Sequence, residues 1–275
     1  MLHHAGHYRA PIGCRWSQNS CAYDVLFTPL FTLWWSNREY WTQSIAGMGN
    51  PVADLLVQGF LHYEKGEASL EDVRDNARWL IACSRNGAPF GHYTSIENVC
   101  THVLNTNAVV FERYYVCSNG HHIHHSSDYS TVLSIGVHKY KSIIEWMSTE
   151  TLHSHTRCEV CDCAVGIKLR FHHDHIPPLL SFSFPESRVH IDITFNIPID
   201  NYSHTYTLTA VIYYANQHFT AQIVTRDGRL WFYDGMSIVN PINEPTLKPV
   251  GSIHSVPNMH ASNGGQACAA IYAKL

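Results

Sequence analysis

The chain has 275 residues, 45% hydrophobic and only 15% charged, enough apolar material for a sizeable core in one large domain or two small ones. Its net charge of −4 with histidine neutral supplies no basic field for nucleic acid or an anionic membrane, and no apolar stretch reaches the roughly 18 residues that a membrane span needs. Nine cysteines, an odd number scattered along the chain without a signal-peptide pattern, predict an intracellular, reducing setting in which thiols are free to be nucleophile or metal ligand.

Residues 1–13 open without periodicity and read as a mobile lead, with one domain over 14–275. Asn19-Ser20-Cys21-Ala22-Tyr23-Asp24 then opens an apolar run that continues to Trp35. A cysteine in the first turn of a helix sits at the positive end of the macrodipole, which favours the thiolate, so Cys21 is the candidate nucleophile. Pro29 removes a backbone bond and predicts a kink in that helix.

Three helices follow. Asn50 and Pro51 form a cap and first-turn signal ahead of a face made by Val52, Leu55, Leu56 and Phe60. Ser69-Leu70-Glu71-Asp72 is a capping box before the stripe Val73, Ala77, Leu80 and Ile81. Ile96, Val99, Cys100 and Val103 share one side of a third helix, with Cys100 as core.

From Ala108 onward the pattern turns to strands, beginning with Val109–Val116. Cys117-Ser118-Asn119-Gly120-His121-His122 closes that strand in a knuckle-like turn, and Cys158-Glu159-Val160-Cys161-Asp162-Cys163 makes a second one. Zinc takes four tetrahedral sulfur or nitrogen ligands, and two such turns at the tips of neighbouring hairpins deliver them without a core. Strands are also predicted at 164–169, 179–184, 189–197 and 206–214. Ile191, Ile193, Phe195 and Ile197 alternate there with Asp192, Thr194 and Asn196, the period of a half-buried strand. Helices first and sheet afterwards is an α+β order.

The run from Leu208 to Asp234 reads as three short strands with two turns. His218 opens the second and Asp234 ends the third, so antiparallel pairing makes them neighbours. A thiolate, a histidine to move its proton and an acid to fix the imidazole tautomer are the parts of a papain-type triad. Cys21, His218 and Asp234 occur in the papain-like order, nucleophile early and partners late.

These blocks resemble the Cys box and His box of the ubiquitin-specific proteases. The likeness rests on Cys21 at a helix start, on His218-Phe219-Thr220-Ala221 and Trp231-Phe232-Tyr233-Asp234, and on the closing segment Gln266–Tyr272. Asp24 stands where that family usually carries Asn, as in the branch of the ubiquitin-specific-peptidase-like SUMO isopeptidase. Arg15 and Trp16 occupy the usual position of the oxyanion-hole amide, which leaves Gln18 and Asn19 as the nearby donors. The resemblance implies a papain-like cysteine protease fold: an N-terminal helical lobe over about 14–107, a β fingers insertion over about 108–170 and a C-terminal antiparallel β lobe over about 171–275. It also implies a structural zinc in the fingers. Because the first turn has one cysteine, His121 or His122 would complete the ligands, one set being Cys117, His122, Cys158 and Cys161, with Cys163 as a substitute. The implied activity is a thiol isopeptidase that removes ubiquitin or SUMO from conjugates. The alternatives are a catalytically weak binding module of the same fold and another papain-like acyl-transfer enzyme.

Overall fold

The computed structural model describes residues 10–135, 140–149, 152–184, 189–199, 202–237, 247–255 and 259–274, without the side chains of 122–123 and 153–155. Most of the expected lead therefore lies outside the described residues, but its last part does not behave as a lead. Ile12 is buried and the Pro11 carbonyl accepts from the Leu247 N–H at 2.8 Å, so order begins before residue 14.

Five helices form the N-terminal lobe: α1 (Cys21–Ser36), α2 (Arg38–Ala46), α3 (Pro51–Glu64), α4 (Leu70–Ala82) and α5 (Ile96–Leu104). Helix α1 is apolar nearly all round and is correspondingly the central, buried one. It runs on through Pro29 without interruption, with Thr32 Oγ1 donating to the Thr28 carbonyl at 2.9 Å. The sequence signals at the helix starts act as read. Asn50 Oδ1 accepts from the N–H groups of Val52 and Ala53, and Ser69 with Asp72 closes a capping box. The buried face of α4 differs from the expected stripe: Leu80 is exposed, while Arg74 and Arg78 join Val73, Ala77 and Ile81 inside. Helix α2 had no sequence counterpart because its mostly polar residues bury only Trp41 and Ile45.

The remaining strands are β1 (Phe111–Cys117), β2 (His122–Asp128), β3 (Val132–Ser134), β4 (Leu152–Arg157), β5 (Ala164–Phe171), β6 (Leu179–Ser183), β7 (Thr194–Ile199), β8 (Tyr202–Ala215), β9 (His218–Val224), β10 (Arg229–Tyr233), β11 (Lys248–Ser252), β12 (Ala261–Ser262) and β13 (Gly265–Lys274), with a short helix α6 (Ile143–Ser148) before β4. Strands β2-β1-β5-β4 make a separate antiparallel sheet, the fingers. The large sheet runs β11-β10-β9-β8-β13-β6-β3, with β7 on β8 and β12 on β13, antiparallel except between β3 and β6. The stretch 108–170 is thus shared: β3 joins the large sheet and α6 packs beside β7. The strand expected over 189–197 enters the ladder only at Thr194, and His190 bridges Ser142 instead.

Period-two alternation divides the large sheet between two cores. Ile212, Ala221, Ile223, Tyr233 and Ile271 face the helices, whereas Val211, Tyr213, Tyr206 and Tyr272 face a second core with Phe182, Phe195 and Trp146. Helix α1 lies directly on β8 and β9, and this contact sets its first residue beside the start of β9. Among the described residues no helix is long and apolar enough to cross a membrane.

Candidate active site

Cys21 is the first residue of α1 and is 4% exposed. The hairpin that brings a partner to it is short. Ala215 pairs with His218, and between them Asn216 and Gln217 take φ of 49° and 61°, the left-handed pair of a tight two-residue turn. His218 thereby opens β9 at the edge of α1. Tyr233, the last residue of β10, pairs with Ala221, so Asp234 emerges level with the start of β9. His218 Nε2 lies 2.8 Å from Asp234 Oδ1, and the same oxygen accepts from the Met236 N–H at 3.0 Å. With Nε2 so engaged, Nδ1 is the ring nitrogen left for the Cys21 thiol. The hydrogen bond with Cys21 raises the His218 pKa above its ordinary value; partial burial opposes the rise, and the Asp234 carboxylate adds to it. The three residues read as nucleophile, base and orienter are thus brought together from three elements.

The segment before α1 clamps the acid in place. Tyr233 donates from its hydroxyl to the Cys14 carbonyl at 2.6 Å, and the Trp16 N–H donates to the Gly235 carbonyl at 3.1 Å. A Cβ on Gly13 would sit 2.5 Å from the Tyr233 ring, so only glycine fits this crossing.

Of the residues read as oxyanion donors, the Asn19 side chain is already committed, its Nδ2 donating to the Gly91 carbonyl at 2.8 Å, and Gln18 is exposed. What sequence reasoning missed lies beneath them. Asp24, 1% exposed, accepts from Ser20 Oγ at 2.6 Å and from Arg74 at 3.1 Å, and burial raises its carboxyl to about 6 against the lowering by Arg74. The available signal was two arginines four apart on the apolar face of α4, a place where a cation needs a buried partner.

A second cluster stands at the tip of the fingers. Cys117 ends β1, Gly120 at φ 82° turns the chain back, and Cys158 and Cys161 flank the turn between β4 and β5. Donor atoms of Cys117, His121, Cys158 and Cys161 all lie within 4.8 Å of one another. Cys117 and Cys161 sulfurs are 3.8 Å apart and Cys158 Sγ is 3.7 Å from His121 Nδ1. Tetrahedral zinc with Zn–S near 2.3 Å and Zn–N near 2.0–2.1 Å spaces its ligands about 3.6–3.8 Å apart, so the set fits that ion. Burial pushes the Cys158 thiol up, but the N–H groups of Val160 and Cys161 and the His121 ring bring it down to about 6. Among the described side chains the histidine in the cluster is His121; that of His122 lies outside them. Cys163 stands beside the cluster, accepting from Asn119 Nδ2 at 3.4 Å.

An α+β domain in which a helix-start cysteine meets a histidine and an acid on an antiparallel sheet is a papain-like fold. No protein-family model and no curated protein matches the chain. Solved structures do. A chain of the SAGA DUB module Ubp8/Sgf11/Sus1/Sgf73 bound to monoubiquitin superimposes with a TM-score of 0.57 at 11% identity, covering 96% of this chain and 69% of that one. The same module bound to ubiquitin aldehyde gives 0.56 at 10%, covering 100% and 72%. The yeast module carrying an Sgf73 mutant gives 0.55 at 12%, covering 96% and 68%. At these identities what is shared is the fold.

Proposed function

We propose that this chain is a cysteine isopeptidase that releases ubiquitin, or a ubiquitin-like modifier such as SUMO, from conjugates. The observation that carries the reading is the contact chain Cys21–His218–Asp234. Its setting supports it: the fold is shared with solved structures bound to monoubiquitin and to ubiquitin aldehyde.

In the reaction, the Cys21 sulfur attacks the carbonyl carbon of the modifier's C-terminal residue as the thiolate. The carbonyl π pair moves onto oxygen, and the Cys21 N–H at the start of α1 meets the resulting charge. Collapse breaks the C–N bond, and the leaving amine takes its proton from the His218 imidazolium. A thioester remains on Cys21. Water then adds to the thioester carbon as His218 takes its proton, the C–S bond breaks, and the modifier leaves as a carboxylate. Asp234 holds the imidazole in the tautomer and orientation that both half-reactions need.

In the fingers, Cys117, His121, Cys158 and Cys161 would hold zinc as a closed structural site. Such an ion ties the tips of two hairpins together and takes no part in the acyl transfer. These reduced thiols suit a reducing compartment.

The test is mass spectrometry after incubation with ubiquitin and SUMO propargylamide probes, with Cys21→Ala beside the wild type. The expected result is an adduct with one probe that is absent from the variant. Folded protein that forms no adduct with either probe, yet binds the modifiers, would replace the isopeptidase by a binding module.

A further inference from the structure

The turn leading into Cys21 is held from below by two buried cations. Gln18 and Asn19 have φ of 47° and 59°, left-handed values that asparagine tolerates but glutamine adopts reluctantly, and Ser20 N–H closes the turn on the Ser17 carbonyl at 3.0 Å. Ser20 Oγ accepts from the Ser17 N–H at 2.9 Å. On the α4 side, Arg78 Nη2 donates to the Gln18 carbonyl at 2.6 Å and its Nη1 to the Ser17 carbonyl at 3.4 Å, while Arg74 donates to the Arg15 carbonyl. Both arginines are 1% exposed. Their charges are met by Asp24 and Asp75, and the Arg78 guanidinium lies over the Phe90 ring at 4.3 Å.

For stability alone, apolar side chains of similar volume serve as well as a buried ion pair. What the guanidiniums add is direction. In a trans peptide the carbonyl and the next N–H point opposite ways. Carbonyls of Ser17 and Gln18 held toward α4 therefore turn the N–H groups of Gln18 and Asn19 away from it. Meanwhile the side-chain amide of Asn19 is spent on Gly91.

We propose that Arg78 is a positioning residue for acyl transfer: by fixing the carbonyls of 17 and 18 it presents the Asn19 backbone N–H, with the Cys21 N–H at the start of α1, as donors to the oxyanion formed at Cys21, while Arg74 holds the Arg15 carbonyl and Asp24 beside it. This rests on the reading of Cys21 as an acyl-accepting nucleophile. It makes the oxyanion hole a backbone device, in place of a side-chain amide.

Two small reagents separate this role from general support of the thiol. With p-nitrophenyl acetate the Cys21 sulfur bonds to the acetyl carbon and p-nitrophenolate leaves, by way of an oxyanion. With iodoacetamide the sulfur displaces iodide at a saturated carbon, and no oxyanion forms. The experiment compares the two rates at Cys21, read by peptide mass spectrometry with Cys21→Ala as the blank, in wild type, Arg78→Lys and Arg78→Met. The expected result is an acylation-to-alkylation ratio lowered at least about tenfold in Arg78→Met, the direction seen when an oxyanion donor is lost, with Arg78→Lys between the two. If Arg78→Met does not fold, the ratio in Arg78→Lys decides. An unchanged ratio, two rates that fall in step, or a wild-type Cys21 inert to both reagents would overturn the proposal. Neither reagent contains a modifier, so protein that ignores ubiquitin and SUMO probes but shows the ratio effect refutes the isopeptidase reading and keeps this one.

Discussion

His218 and Asp234 stand sixteen residues apart in sequence and 2.8 Å apart in space, because the turns on either side of β9 return the chain to the same level of the sheet. The same imidazole is hydrogen-bonded to Cys21 from the other lobe. Its protonation is therefore set jointly by a helix start and a strand end.

That joint control gives a pH dependence. The Cys21 hydrogen bond and the Asp234 carboxylate both favour the imidazolium, so the His218 pKa is raised. The stabilisation they provide is full below the ordinary histidine value and is lost as the pH rises through the raised one. Asp234→Asn should move the alkaline limb of kcat/KM to lower pH and reduce kcat by about 10²–10⁴-fold, the usual range for impaired acid–base transfer. A pH–rate profile of the variant on a ubiquitin-derived fluorogenic substrate checks both.

Arg74→Met leaves Asp24 buried without its ion partner. Breaking such a pair costs about 3–5 kcal/mol. Arg74 lowers the Asp24 pKa, which stands at about 6, so its removal raises that value further. The carboxyl is then neutral over a wider acid range, and the penalty should be largest near about pH 8 and shrink toward about pH 5. Urea denaturation of variant and wild type at the two pH values measures the difference.

The fingers cluster predicts one bound zinc that depends on His121. His121→Ala should lose the metal and lower the thermal midpoint, since the His121 ring stands with the three thiols. Metal content by inductively coupled plasma mass spectrometry beside a melting curve reads this. Acylation of Cys21 by p-nitrophenyl acetate should survive zinc removal, because the cluster lies on a separate sheet.

Gln217 holds φ of 61° in the two-residue hairpin before His218. Gln217→Gly relieves the left-handed strain and should stabilise the fold by about 1 kcal/mol without altering the alignment of His218. Equal kcat with a raised urea midpoint is the expected outcome.

By itself the sequence determined the local features of this protein. The capped starts of α3 and α4, the buried run of α1, the alternation of β7 and the two cysteine turns are short-range patterns, carried by propensity and period within a dozen residues. Even the pairing of His218 with Asp234 was legible, since both belong to one meander. Tertiary structure alone decided which residues support the nucleophile. Arg74 and Arg78 lie more than fifty residues from the loop they hold, and nothing in the helix pattern of α4 says which carbonyls a buried guanidinium will find. It also brought His121 to the three fingers thiols and bound the Asn19 amide to Gly91. A hydrogen bond is made at about 3 Å and a zinc–ligand bond at about 2.0–2.3 Å, and only the packing of whole elements brings distant groups within that range.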